Sequence, residues 1–207
     1  MLEGVEPSEI GVELDLRYAT ANNICGRPLY RSGEKVLLHR QAMDRLVRAA
    51  DSAVEEGFML LVFDAYRPKR VQEALWEKCP DERYVANPYE GGSMHTRGIA
   101  VDLTLTKWEK SHWIPLDMGT DFDEMSGRAH WDAFENGLIT QEQQENRVKL
   151  RGIMKAARFD TIPTEWWHYQ MPLIFQEGKE YPLISENAPS PLTHPDLCVS
   201  HPPVQRA

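Results

Sequence analysis

Two short segments constrain this chain more than anything else in it: Ser93-Met94-His95-Thr96-Arg97-Gly98-Ile99-Ala100-Val101-Asp102 and Glu165-Trp166-Trp167-His168. Imidazoles and a carboxylate are the side chains that hold a catalytic zinc in three tetrahedral positions and leave the fourth open. His95, Asp102 and His168 supply such a set. Glu165 adds a spare carboxylate beside the open position, the arrangement that activates water. If the three hold one ion, the fold must return residue 168 to the side of residues 95 and 102, and architectures that keep the two segments apart are excluded.

The rest of the chain is adequate to build one domain around that point. Its 207 residues suffice for a single core, and no linker composition interrupts the middle. A hydrophobic share of 42% and a charged share of 27% are those of a globular protein, while a formal charge of -9 argues against nucleic acid or an anionic membrane as partner. Residues 1–7 carry no basic, apolar and cleavable signal, and no apolar run would span a bilayer. Three widely spaced cysteines, Cys25, Cys79 and Cys198, without a C-x-x-C pair, fit reduced thiols in a cytoplasm.

Periodicity gives the elements. Ile10, Val12, Leu14, Leu16 and Tyr18 alternate as in a half-buried strand. Met43, Leu46, Val47, Ala50 and Val54 recur at helical spacing over residues 40–56, and Gly57 suits the left-handed stop. Phe58 to Phe63 reads as a strand buried on both faces, and Pro68 as the first residue of a helix reaching Lys78. Ile99 to Leu105 reads as a strand with Asp102, Ala100 and Thr104 on the cleft face and Val101 and Leu103 in the core. Residues 106–139 read as irregular, and a loop of that length in a compact domain is more often functional than not. Thr140 to Gln143 has capping-box spacing ahead of a helix through Ala157, and Thr164 to Met171 reads as the strand carrying the last ligand. The expected architecture is a single α+β domain over residues 1–184, a central antiparallel sheet with packed helices, followed by a Pro-rich tail at 185–207 without periodicity.

Ser-x-His-x-x-Gly-x-Ala-x-Asp followed by Glu-x-Trp-His resembles the zinc D-alanyl-D-alanine dipeptidases of the vancomycin-resistance type, in the DD-peptidase group that shares its fold with the Hedgehog signalling domain. Phe63-Asp64-Ala65-Tyr66-Arg67-Pro68, Asp117-Met118-Gly119-Thr120 with Phe122-Asp123-Glu124-Met125, and Leu16-Arg17-Tyr18-Ala19 with Asn22-Asn23 extend the resemblance. It implies hydrolysis of a small D,D-dipeptide with one zinc per chain on His95, Asp102 and His168, Glu165 as general base, and Arg67 over the scissile carbonyl. It also makes Asp117 the match for the substrate's ammonium, with Asp123 and Glu124 read as solvated loop acids. Ser93 is either a turn-forming hydroxyl or a binder of the substrate carboxylate. Where the family often continues Glu-Arg-Ser-His, this chain has Gly127-Arg128-Ala129-His130. A carboxypeptidase or endopeptidase of the same fold acting on longer wall peptides is the nearest alternative, and a non-catalytic zinc-binding module is the alternative of another class. The oligomeric state has no signature in the sequence.

Two points call for structural resolution. In a regular strand residues 165 and 168 face opposite ways, so Glu165 and His168 can flank one ion only across a bend or bulge. Trp166 and Trp167 supply one core residue at least, the other being a wall of the pocket. Gly98 and Ala100 are read as small residues that let the backbone turn and leave room around the ion.

Overall fold

The computed structural model describes residues 1–172 and 181–184. The strands are β1 (Leu2–Gly4), β2 (Val12–Leu14), β3 (Leu37–His39), β4 (Phe58–Asp64), β5 (Ala100–Glu109), β6 (His112–Pro115), β7 (Asp160–Ile162) and β8 (Glu165–Gln170), and the helices are α1 (Pro7–Ile10), α2 (Arg40–Glu55), α3 (Lys69–Lys78) and α4 (Gln141–Ala156). The main sheet runs β2-β4-β5-β8-β7, with β6 also on β5, and β1 pairs with β3 in a small second sheet. All its pairs are antiparallel except β2 with β4. That edge pair is parallel because the chain between the two strands crosses over through α2, the connection parallel neighbours require. The fold is thus α+β in one domain, with a mixed central sheet. Among the described residues no helix is long and apolar enough to cross a membrane; the Pro-rich tail expected at 185–207 lies outside the described residues.

The long helices form as the periodicity predicts. Ala42, Met43, Leu46, Ala49, Ala50 and Ala53 line the buried stripe of α2, and Gly57 follows it in the left-handed conformation at φ 82°. α4 begins with the expected box: Gln143 N–H donates to Thr140 Oγ1 while Thr140 N–H donates to Gln143 Oε1. The two helices pack on each other, α2 also on β4 and α4 on β5 and β7. Register puts Leu60 opposite Leu105, Val62 opposite Leu103 and Val101 opposite Tyr169, all completely buried, so one face of the sheet is core.

The other face carries the polar row, and a bulge makes it. Val62 pairs with Leu103 and Asp64 with Asp102, so two residues of β4 span one step of β5 at Phe63. Simple alternation would bury Asp64 with Val62; the extra residue turns it onto the face of Asp102. Asp102 lies opposite His168 on its other side.

Several expected elements differ. Residues 10–18 are not one strand: α1 ends at Ile10, Gly11 caps it at φ 67°, β2 covers only Val12–Leu14, and Arg17–Ala19 form a 3-10 turn. Pro68 is the N-cap of α3, one position ahead of the expected N1. Residues 106–115 are not irregular but belong to a β5–β6 hairpin turned by Lys110 and Ser111, both at positive φ, with Trp108 edge-on to its cross-strand partner Trp113. Such two-residue turns usually announce themselves by Asn-Gly, and Lys-Ser does not. β7 likewise was not expected.

Candidate metal centre and catalytic cleft

Each proposed ligand arrives on a different support. His95 opens a 3-10 turn, His95–Arg97, that Gly98 closes in the left-handed conformation at φ 69°. A Cβ on Gly98 would stand 2.5 Å from Leu2 Cδ2 and 3.3 Å from the His39 backbone nitrogen. The small residue therefore makes room for the β1–β3 pair, a correction to the expectation that it clears space around the ion. Asp102 sits in the middle of β5, and His168 faces it from β8. Between Thr161 and Ile162 the β7–β8 register jumps from Tyr169 to Glu165, and this irregularity is the bend that lets Glu165 and His168 border one cavity.

His95 Nε2, Asp102 Oδ1 and His168 Nδ1 form a triangle with sides of 3.2, 3.0 and 3.1 Å. Tetrahedral ligands about 2.1 Å from zinc stand roughly 3.4 Å apart, so the triangle is close to the required size. The outer nitrogens fix the tautomers. His95 Nδ1 is 2.7 Å from the Ala65 carbonyl, which can only accept, so Nδ1 bears the proton and Nε2 turns a lone pair inward. His168 Nε2 donates to Gln170 Oε1 at 3.0 Å, which leaves Nδ1 inward. Three acceptors face one point in a fully buried setting, a cluster that needs a positive charge at its centre. Burial would lower the His168 imidazole, but the hydrogen bond and charge of Asp102 raise it, and burial would raise Asp102, but the two imidazoles hold it well below the usual carboxylate range. The donor set fits a divalent metal.

Around the triangle lies a cavity of about 210 Å³ whose lining includes Tyr18, Arg67, Ser93, Asp123, Glu165 and Trp167. Glu165 is buried, its Oε2 3.9 Å from His168 Nδ1, and desolvation lifts its carboxyl to about 8 with the Asp102 charge adding to the shift and His168 opposing it. Arg67, at the corner between β4 and α3, donates from Nε to Asp64 Oδ2 at 2.8 Å and from Nη2 to Asp102 Oδ2 at 3.2 Å. Burial opposes its charge, but the surrounding anionic groups win and keep it protonated. Ser93 is buried in the lining, and its Oγ accepts the His95 backbone N–H at 3.2 Å, so the turn-forming reading holds and the hydroxyl also borders the cavity. Trp166 and Trp167 are both core, and Trp167 walls the cavity as well.

Asp117 is not brought to this cavity. Its carboxylate accepts the Gly119 N–H at 2.9 Å and Gln143 Nε2 at 2.8 Å, which bind the loop to α4 and lower its pKa. Asp123, read from sequence as solvated, lines the cavity instead. Its Oδ1 accepts from Tyr18 Oη at 2.9 Å and its Oδ2 from the Ile24 N–H at 3.1 Å; burial raises its carboxyl to about 6, and its backbone is left-handed at φ 62°. The signal for it was the preceding Phe122, whose ring packs on Tyr18, Phe63 and Trp167 and draws the segment inward.

A second missed residue organises the loop. Arg147, completely buried on α4, donates to the carbonyls of Met118, Arg128 and His130 at 2.7, 2.8 and 2.9 Å, and burial lowers its pKa to about 10. Its place on the stripe with Leu150 and Met154 is the trace it leaves in the sequence. In the departing Gly127-Arg128-Ala129-His130 segment, Ala129 is buried without a hydroxyl and His130 Nε2 lies 3.1 Å from Tyr84 Oη.

Residues 4–181 match the family described as D-ala-D-ala dipeptidase. Curated relatives named D-alanyl-D-alanine dipeptidase include one of Escherichia coli (strain K12), 39% identical over 84% of this chain and 84% of its own length. One of Enterococcus faecium is 34% identical over 77% of this chain and 85% of its own, and one of Streptomyces coelicolor is 31% identical over 78% and 86%.

Proposed function

The chain belongs to the D-ala-D-ala dipeptidase family, and from that premise we propose that it is a zinc enzyme cleaving D-alanyl-D-alanine into two D-alanines. The observation that carries the reading is the inward-facing triangle of His95, Asp102 and His168 with an uncommitted carboxylate, Glu165, at its edge. Two imidazole nitrogens and one carboxylate oxygen suit zinc better than magnesium or calcium, which take oxygen donors, and one such triangle predicts one ion per chain. When bound, zinc polarises the scissile carbonyl and brings the pKa of water to about 7.

The chain's own groups do the rest. Glu165, at the edge of the triangle and in the cavity lining, takes the proton of the attacking water and hands it to the leaving amine. Arg67 is fixed on two carboxylates and donates to the carbonyl oxygen as that atom becomes negative. Asp123 takes over the role expected of Asp117 and pairs with the substrate's ammonium, while Ser93 receives the carboxylate end. A cavity of about 210 Å³ lies below the ~300–1,000 Å³ of pockets for drug-sized ligands, which favours a dipeptide over longer wall peptides. The spare base disfavours a purely structural zinc module, whose metal would be closed by four protein ligands. A cytoplasmic setting for free dipeptide completes the proposal.

The test strips the protein of metal and titrates zinc back while D-alanine release from D-Ala-D-Ala is followed. Activity returning with one equivalent supports the reading, and a zinc-loaded chain that leaves the dipeptide intact overturns it.

A further inference from the structure

We infer that Gln72 is a positioning residue for the reaction, holding the Arg67 guanidinium in the orientation that meets the developing oxyanion. Gln72 lies in the first turns of α3 and is 1% exposed. Its Oε1 accepts from Arg67 Nη1 at 3.0 Å and its Nε2 donates to the Ala86 carbonyl at 2.7 Å. These partners allow only one orientation of the amide: the carbonyl of Ala86 must face the NH₂ group, and the guanidinium must face the oxygen.

A guanidinium has five N–H groups in one plane. Asp64, Gln72 and Asp102 take one each from Nε, Nη1 and Nη2, which leaves one on each terminal nitrogen for a ligand in the cavity that Arg67 lines. With only the two carboxylates, the plane is held along Nε and Nη2, and the Nη1 end has no anchor. Gln72 supplies it, and does so without charge. A third carboxylate there would offset the positive field that the oxyanion meets, whereas an amide fixes direction and leaves the field intact. Because its other end grips Ala86, itself part of the cavity lining, Gln72 also sets the cation and the cavity wall in register.

The inference rests on the reading of Arg67 as oxyanion partner in dipeptide cleavage. Charge appears on the carbonyl oxygen only in the transition state, so a misaligned guanidinium lowers kcat and spares ground-state binding. The experiment compares zinc-loaded wild type, Gln72→Met and Gln72→Glu on D-Ala-D-Ala. Bound zinc is measured, together with the inhibition constant of a dipeptide phosphinate whose tetrahedral phosphorus replaces the scissile carbon. Met keeps the volume and loses both hydrogen bonds; Glu keeps the shape and adds the charge. Both variants are expected to retain zinc, to lose ~10-fold or more in kcat with KM within about threefold, and to weaken the phosphinate in parallel. Wild-type kcat in Gln72→Met, or a loss confined to KM, overturns the inference while leaving the dipeptidase reading in place. A zinc-loaded wild type without activity on the dipeptide overturns both.

Discussion

One side of the cleft is made of strands and the other of loops, and the two sides hold their side chains by different means. Asp64, Asp102 and His168 stand in a row across β4, β5 and β8, where ladder hydrogen bonds and a core packed behind the sheet fix each Cα, and His95 joins this side from a 3-10 turn whose His95 carbonyl accepts the Arg67 N–H at 3.2 Å. Asp123 stands on the loop of residues 116–139, which has little regular structure and takes its shape from side chains reaching in from elsewhere: Arg147 on three carbonyls, Gln143 on Asp117, and Tyr18 on Asp123 itself. The difference teaches a division of labour. Groups that hold a metal and move a proton need sub-ångström placement, which a sheet and a short turn tied to it give; groups that choose a substrate can sit on a loop, provided something buried pins it.

The largest effects should come from the strand side. His95→Ala, Asp102→Ala and His168→Ala are each expected to lose bound zinc and with it measurable hydrolysis, since three ligands leave no redundancy; elemental analysis of the purified variants checks this. Full zinc in any two would break the assignment. Glu165→Gln should keep zinc and lose ~10²–10⁴ in kcat, because it removes the base and spares the ligands. Near wild-type turnover in that variant would remove Glu165 from the mechanism.

The same division decides what the sequence could reveal. The strand side was legible because ligand chemistry restricts residue type at fixed spacing: His95, Asp102, His168 and Glu165 could be read from two short segments, and even the bend between 165 and 168 followed from the demand that both face one ion. Asp64 could not, because a bulge at Phe63 reverses the alternation that places it. On the loop side the spacing argument fails. Asp117 and Asp123 are equivalent as letters, and each is followed or preceded by a buried apolar residue; what separates them is their partners, Tyr18 and the Ile24 N–H for Asp123 and Gln143 for Asp117, remote in sequence. Gln72 and Arg147 act through partners remote in sequence, Ala86 and the carbonyls of residues 118 to 130, and backbone carbonyls have no residue-type signature. The β5–β6 hairpin was missed for a simpler reason, a Lys-Ser turn in place of Asn-Gly.

Smaller effects should come from the loop side. Arg147→Met is expected to lower unfolding stability by roughly 2–5 kcal/mol, since three carbonyls, the buried one of Met118 among them, lose their donors, and to raise KM while bound zinc stays at the wild-type level. Loss of zinc in a folded Arg147→Met would merge the two sides and blunt the comparison. The pH dependence should separate them as well. Burial raises the Asp123 carboxyl to about 6; it is ionised and able to pair with an ammonium above that value, and takes up a proton as pH falls through it. KM for D-Ala-D-Ala should therefore rise as pH drops from 7 to 5, and a KM that stays flat over this window would remove Asp123 from ammonium recognition. The same raised pKa makes its ionised form a cost to folding above about 6, a cost that disappears as pH falls toward the unfolded value near 3.8.

The division between chemistry on strands and recognition on loops is tested most directly by measuring kcat and KM for D-Ala-D-Ala in zinc-loaded Arg67→Lys and Asp123→Asn side by side. Arg67→Lys should lower kcat by ~10² with KM little changed, because a lysine cannot reproduce the guanidinium's directed donors. Asp123→Asn should raise KM by ~10-fold or more with kcat largely kept, as expected for lost ground-state binding. The reverse pattern, a KM defect in Arg67→Lys and a kcat defect in Asp123→Asn, would contradict the account.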